Sequence, residues 1–157
     1  YLFLNYYCMS SETNPRLEFF RSQIGNSLSQ SPSPLGRWLN GTLKEAGHGL
    51  MTVEFLVREE MTNPMGVLHG GVAAAMMDDV VGMMVYALGR EYGYTSVNLN
   101  CDFLSAAREG EVLTVQAHVI RAGKNVVHGE CRIVNETGKI IAKTATNLIQ
   151  TGVKLPF

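Results

Sequence analysis

The 157-residue chain sets 13 Lys+Arg against 14 Asp+Glu, a net charge of −1, with 46% hydrophobic and 17% charged residues. This is the composition of one ordinary globular domain with apolar surface for a core and a subunit interface, and it excludes a mainly disordered chain. With no run of Lys/Arg, the electrostatic footprint of a nucleic-acid binder or a polybasic membrane anchor is missing. Cys8, Cys101 and Cys131 form no CxxC pair, which argues against a disulfide scaffold or a structural zinc site and points to a reducing, cytoplasmic setting.

In chain order, the opening YLFLNYYCM lacks a basic n-region and is too short for a signal-peptide core, so residues 1–13 read as a disordered or added leader, with Met9 an unremarkable start. Asn14-Pro15 is a cap followed by an N1 proline, and Leu17, Phe20, Ile24 and Leu28 follow at helical spacing, predicting a short amphipathic helix. SQSPSP over 29–34 breaks it, and Leu35 to Ala46 reads as a strand of modest quality before the turn Gly47-His48-Gly49. Met51, Val53, Phe55 and Val57 alternate as a half-buried strand. From Gly71 to Leu88 the residues are apolar on nearly every face, which predicts a helix buried almost all round. Asp78 and Asp79 in its middle exclude a membrane span, since each would cost about 3 kcal/mol in a bilayer. Four alternating segments follow, 96–104, 112–120, 125–134 and 139–149, separated by Gly-containing turns, and a meander folded around the helix is the simplest way to bury it.

The densest polar cluster is NPMGVLHGG, residues 63–71, with Asp78 nine positions beyond His69 and SVNLNCDFLSAAREGE after the helix. Two glycines at a helix start suit a tight turn, and they equally leave unpaired amides at the positive end of the helix dipole for a developing oxyanion. Asp78 shares a helix row with Ala74 and Gly82, so a ligand or second chain has room beside it. In apolar surroundings its carboxyl would titrate high and serve as a base, but either acid of the Asp78-Asp79 pair would equally mark a wetter helix side. His69 is placed to orient the loop, Asn63 to hold water or simply a turn, and Ser96 falls on the polar phase of its strand. No GxSxG, HExxH or metal-ligand spacing of histidines occurs, so no metal is expected.

This series of residues, over about 35–150, resembles the hotdog-fold acyl-CoA thioesterases of the PaaI-like group in the thioesterase superfamily. The resemblance implies an α+β hotdog fold, a curved antiparallel sheet wrapped around one long central helix. With the leader over 1–13 and the helix and loop over 14–34 read above, this leaves the hotdog domain over 35–150 and a tail over 151–157. It implies Asp78 as general base or nucleophile, the Gly70 amide as oxyanion donor, Asn63 and Ser96 as water-positioning groups and His69 as an orienting residue. Gly71, Arg108, Arg121 and Lys124 are candidates for binding substrate, the last three also suiting ordinary solvated charges. Coenzyme A would be part of the substrate rather than a cofactor. The expected assembly is a homodimer with shared active sites, pairing into a tetramer, with neither nucleic acid nor membrane as partner. A non-catalytic acyl-CoA-binding protein and a hydratase or dehydratase on the same fold are the alternatives.

Overall fold

A computed structural model describes residues 14–156, so the leader expected over 1–13 lies outside it. Asn14 caps helix α1 (Pro15–Ser22) as the sequence predicts, its Oδ1 accepting from Leu17 N at 3.1 Å while its Nδ2 donates to Ala87 O. The helix is shorter than the apolar spacing suggests, and Ile24 and Leu28 lie beyond its end. The expected strand over 35–46 is two elements. Ser33-Pro34 repeats the cap-plus-proline signal, Ser33 Oγ accepting from Gly36 N, and starts helix α2 (Pro34–Leu39), which Asn40 ends in the left-handed conformation. Strand β1 (Thr42–Gly47) begins only after it, and β2 (Leu50–Leu56) follows.

Helix α3 (Gly70–Tyr86) crosses to β3 (Tyr92–Phe103), β4 (Val112–Ala122), β5 (Val126–Asn135) and β6 (Ile140–Lys154). All pairings are antiparallel, in the order β1-β2-β4-β5-β6-β3. The hotdog arrangement of sheet and helix holds, but the picture of a sheet wrapped around the helix does not. The sheet is open: β1 and β3 are its two edges and do not pair, and α3 lies on one face across β2, β4, β5, β6 and β3. Nor is α3 buried all round. Ala73, Met76, Met77, Val80, Val81 and Met84 enter the core, while Gly71, Asp78, Gly82 and Tyr86 form an exposed stripe along the other side. An open sheet suffices because it has to cover only the apolar side of the helix.

The core fills the space between α3 and the inward positions of the strands, including Val53, Phe55, Leu113, Val115, Ile133 and Ala142. Five methionines, Met51, Met61, Met76, Met77 and Met84, are fully buried there as adaptable filler. The two sheet edges differ. Residues 25–28 lie along β1, with Gly25 N donating to Leu43 O, Leu43 N to Asn26 O and Leu28 N to Gly41 O. Edge strand β3 has no such cover among the described residues, and Val97 at its middle is 55% exposed.

Candidate active site

The loop into α3 is held from several sides. His69 N donates to Met61 O, Leu68 N to Ala107 O and Asn63 N to Val67 O. Asn63 Oδ1 accepts from Met65 N at 2.9 Å and Val67 N at 3.4 Å, so Asn63 is a turn residue as well as a lining residue of the pocket described below. Gly66 takes a φ of 71°, which closes that turn. His69 is the cap of α3: its Nδ1 accepts from Gly71 N at 2.9 Å, which requires the proton of a neutral ring to sit on Nε2. His69 O takes the amides of Val72 and Ala73. Of the first-turn amides, only the Gly70 N–H has no acceptor among the described residues. Such an amide, at the positive end of the helix, can receive a developing negative charge.

Asn63 and Gly70 share a pocket of about 370 Å³ whose other walls include Ala73, Phe103, Leu104 and Ile141. Phe103 and Leu104 are more than half exposed and give it an apolar mouth. No motif in the sequence marks either residue, although Phe103 stands in the apolar phase at a strand end.

The two acids of α3 are separated by their environments. Asp78 is exposed and accepts a hydrogen bond from Ser96 Oγ at 2.9 Å. It is not in the apolar setting expected for it. Asp79 is the partly buried one, packed against α2, where Ser33 Oγ donates to it at 3.4 Å. Burial pushes the Asp79 carboxyl above the ordinary aspartate value, against the lowering effect of Ser33, and the negative Asp78 adds to the rise. Asp79 is thus tied to structure and Asp78 is available.

Ser96 reaches Asp78 because of a break in strand register. Ser96 pairs with Leu148 and Asn98 with Asn147, so Val97 is an extra residue. Simple alternation puts Ser96 on the outer face with Asn98, Asn100 and Asp102; the bulge turns it to the helix side, opposite buried Leu148.

The predicted residues therefore gather as two groups. Asn63, His69, Gly70 and Gly71 stand at the start of α3, with Arg108 joined to the same loop through the Val67 bridge. Asp78, with Ser96 of β3 bonded to it, lies eight residues further along α3 than Gly70, about 12 Å at the helical rise. Arg121 and Lys124, both exposed, flank the β4–β5 turn, where Tyr94 Oη donates to Lys124 O. A broader trough of about 890 Å³ lies on the sheet face away from α3, with Gln116, His118, Glu130 and Arg132 in its lining, and holds none of the predicted residues. Among the described residues no three His, Cys, Asp or Glu side chains gather to hold a metal, and no helix is long and apolar enough to cross a membrane.

The thioesterase superfamily model matches residues 65–142, from the loop before α3 into β6. Human acyl-coenzyme A thioesterase 13 is 36% identical over 103 residues, spanning 65% of this chain and 74% of that protein. The mouse protein of that name is 33% identical over the same length. Among solved structures, zebrafish thioesterase superfamily member 2 superposes with a TM-score of 0.71 at 26% identity, over 91% of this chain and all of that one. The PaaI protein of the E. coli phenylacetic acid degradation operon gives a TM-score of 0.78 at 18% identity, over 91% and 99% of the two chains, a likeness of fold. Sequence relatives and fold agree, and the chain belongs to the PaaI-like hotdog branch of the thioesterase superfamily, a family of thioester hydrolases.

Proposed function

We propose that the protein hydrolyses acyl-CoA thioesters to a free acid and CoA, in sites built from two copies of the chain. The observation carrying this reading is the split of the polar groups: an exposed Asp78–Ser96 pair in one place, an unpaired Gly70 amide beside Asn63 in another, about 12 Å apart along α3. No single thioester carbonyl spans that gap. Pairing of the uncovered β3 edge with its copy about a two-fold axis runs the strands antiparallel, which sets the Ser96 region of one chain toward the Phe103 end of the other. Phe103 stands beside Gly70, and a Cβ on that glycine would meet its ring at 3.4 Å. Asp78 and Ser96 of one protomer then face Gly70 and Asn63 of its partner.

In this arrangement the Gly70 N–H polarises the thioester carbonyl and holds the oxyanion, while His69 keeps the loop in place by occupying the neighbouring amide. Asp78, oriented by Ser96, removes a proton from the attacking water or attacks directly, and Asn63 holds the water or substrate. Phe103, Leu104 and Ile141 receive the acyl group. The exposed cations Arg108, Arg121 and Lys124 meet the phosphates of CoA, and Gly71 allows its close approach. Residues 35–150 carry this chemistry, residues 14–34 support it, and the unpaired thiols of Cys101 and Cys131 suit a cytoplasmic protein.

The test is release of free thiol from phenylacetyl-, hydroxybenzoyl-, short- and long-chain acyl-CoAs by the wild-type chain, Asp78→Asn and Asp79→Asn. A loss of about a hundredfold or more in Asp78→Asn, with Asp79→Asn retaining most activity, is the expected result. Tight binding without turnover across the panel would sink the hydrolase reading in favour of a non-catalytic acyl-CoA-binding protein. Solution mass reads the assembly: a dimer or its tetramer is expected, and a monomer would overturn the shared site.

A further inference from the structure

We infer that Asn98, Thr146 and Asn147 are positioning residues that hold the β3 bulge in the one register presenting Ser96 to Asp78; this rests on the proposed role of that pair. The bulge breaks the β3–β6 ladder at Val97, and side chains bridge the break from both faces of the sheet. On the helix side, fully buried Thr146 donates from Oγ1 to the main-chain oxygen of Asn98 at 2.7 Å. On the outer side, Asn98 Oδ1 accepts from both the main-chain N–H and the Nδ2 of Asn147, each at 3.0 Å. Asn147 Oδ1 in turn lies 2.9 Å from His128 Nδ1, whose N–H fixes which way the Asn147 amide points.

The alternative to this register is easily reached. Moving the break to the N-terminal side of Ser96 would put Ser96 opposite Ile149 on the outer face, where alternation alone would put it. Until its free edge meets a second copy, β3 pairs on one side only among the described residues, so main-chain bonding within the chain resists that slip weakly. The bonds from Asn98 and Thr146 lie at the break itself and brace the side of it next to Val97. The network touches neither Asp78 nor the pocket beside Gly70, so its effect on the reaction is carried by Ser96.

Thr146→Val, which keeps the shape and removes the donor, and Asn98→Ala test this together with Ser96→Ala and the two corresponding double variants. Each network variant is expected to lower kcat for acyl-CoA hydrolysis by ~10- to 100-fold, the scale of a small misplacement of a reacting group. KM should stay within about twofold, and the losses should vanish in the Ser96→Ala background. Thr146→Ser restores the donor and should restore kcat, which a general loss of stability would not predict. Wild-type kcat in both network variants, or equal losses with and without Ser96, would overturn the inference. A wild-type kcat in Ser96→Ala would also overturn it, and would show that the fault lay in the role given to the serine.

Discussion

Adjacent acids on a helix point about 100° apart, and here that rotation gives Asp78 and Asp79 different work. Asp79 docks α2 through Ser33 and carries a raised carboxyl because burial disfavours its charge. A folded-state value above the ordinary 3.8 means that the folded chain holds this proton more tightly than the unfolded one. Its contribution to stability is therefore full below the unfolded value and lost as pH rises through the folded value. Asp79→Asn, which keeps an acceptor for Ser33, should melt higher than wild type at pH 7, and the gain should shrink toward pH 4 in thermal unfolding series. At Gly70 the group of interest is a main-chain N–H, which proline removes. His69 already has φ −65° and ψ 132°, the conformation a following proline demands, and proline is welcome at the first helical position. Gly70→Pro should leave α3 intact by circular dichroism while lowering kcat by about 10²–10³, the loss expected for one oxyanion donor. Cys131, its thiol pushed up to about 12 by burial, should resist thiol reagents until the chain unfolds.

At the scale of elements, the strands read readily from alternation because each buries one face, and α3 from its long apolar run, interrupted only by Asp78 and Asp79. What alternation cannot show is where a ladder slips. The bulge at Val97 leaves no mark on the polar-apolar pattern of SVNLNCDF, so Ser96 reads as outward-facing although it points to α3. The α2 helix was legible, since Ser33-Pro34 carries the signal that identified α1 at Asn14-Pro15; six residues gave too little periodicity to compete with the strand reading. The stripe of Gly71, Asp78, Gly82 and Tyr86 was hidden for another reason: small residues count as apolar in a pattern whether or not anything covers them. Between α2 and β1 the packing is tight, and a Cβ on Gly41 would come within 2.5 Å of both Val53 Cγ1 and Phe55 Cε1 in the core. Gly41→Ala should cost about 1–3 kcal/mol of unfolding free energy, as overpacking does, measurable by urea titration.

For the whole molecule, the proposal that two chains share each site predicts complementation. Asp78→Asn and Gly70→Pro each disable both sites of a homodimer, but a mixed dimer unites the intact Asp78 of one chain with the intact Gly70 amide of the other. Unfolding the two variants together and refolding them should recover about a quarter of wild-type activity, half the dimers being mixed and each holding one sound site. If the site lay within one chain, the mixture would stay as inactive as its components. That two chains share the site is what the family resemblance implies; local spacing does not show it, because His69 and Asp78 are close in sequence yet stand more than two turns apart along α3.

The covered β1 edge bears on how far such pairing can go. A sheet with two free edges adds copies at both ends and grows into a fibre, whereas a sheet with one free edge joins a two-fold copy and then has nothing left to offer. The hydrogen bonds that residues 25–28 make to Gly41 and Leu43 cover the start of β1 and so hinder strand addition at that edge. Deleting residues 14–30 should turn a particle of fixed mass into one that lengthens with concentration, visible as rising light scattering and thioflavin binding.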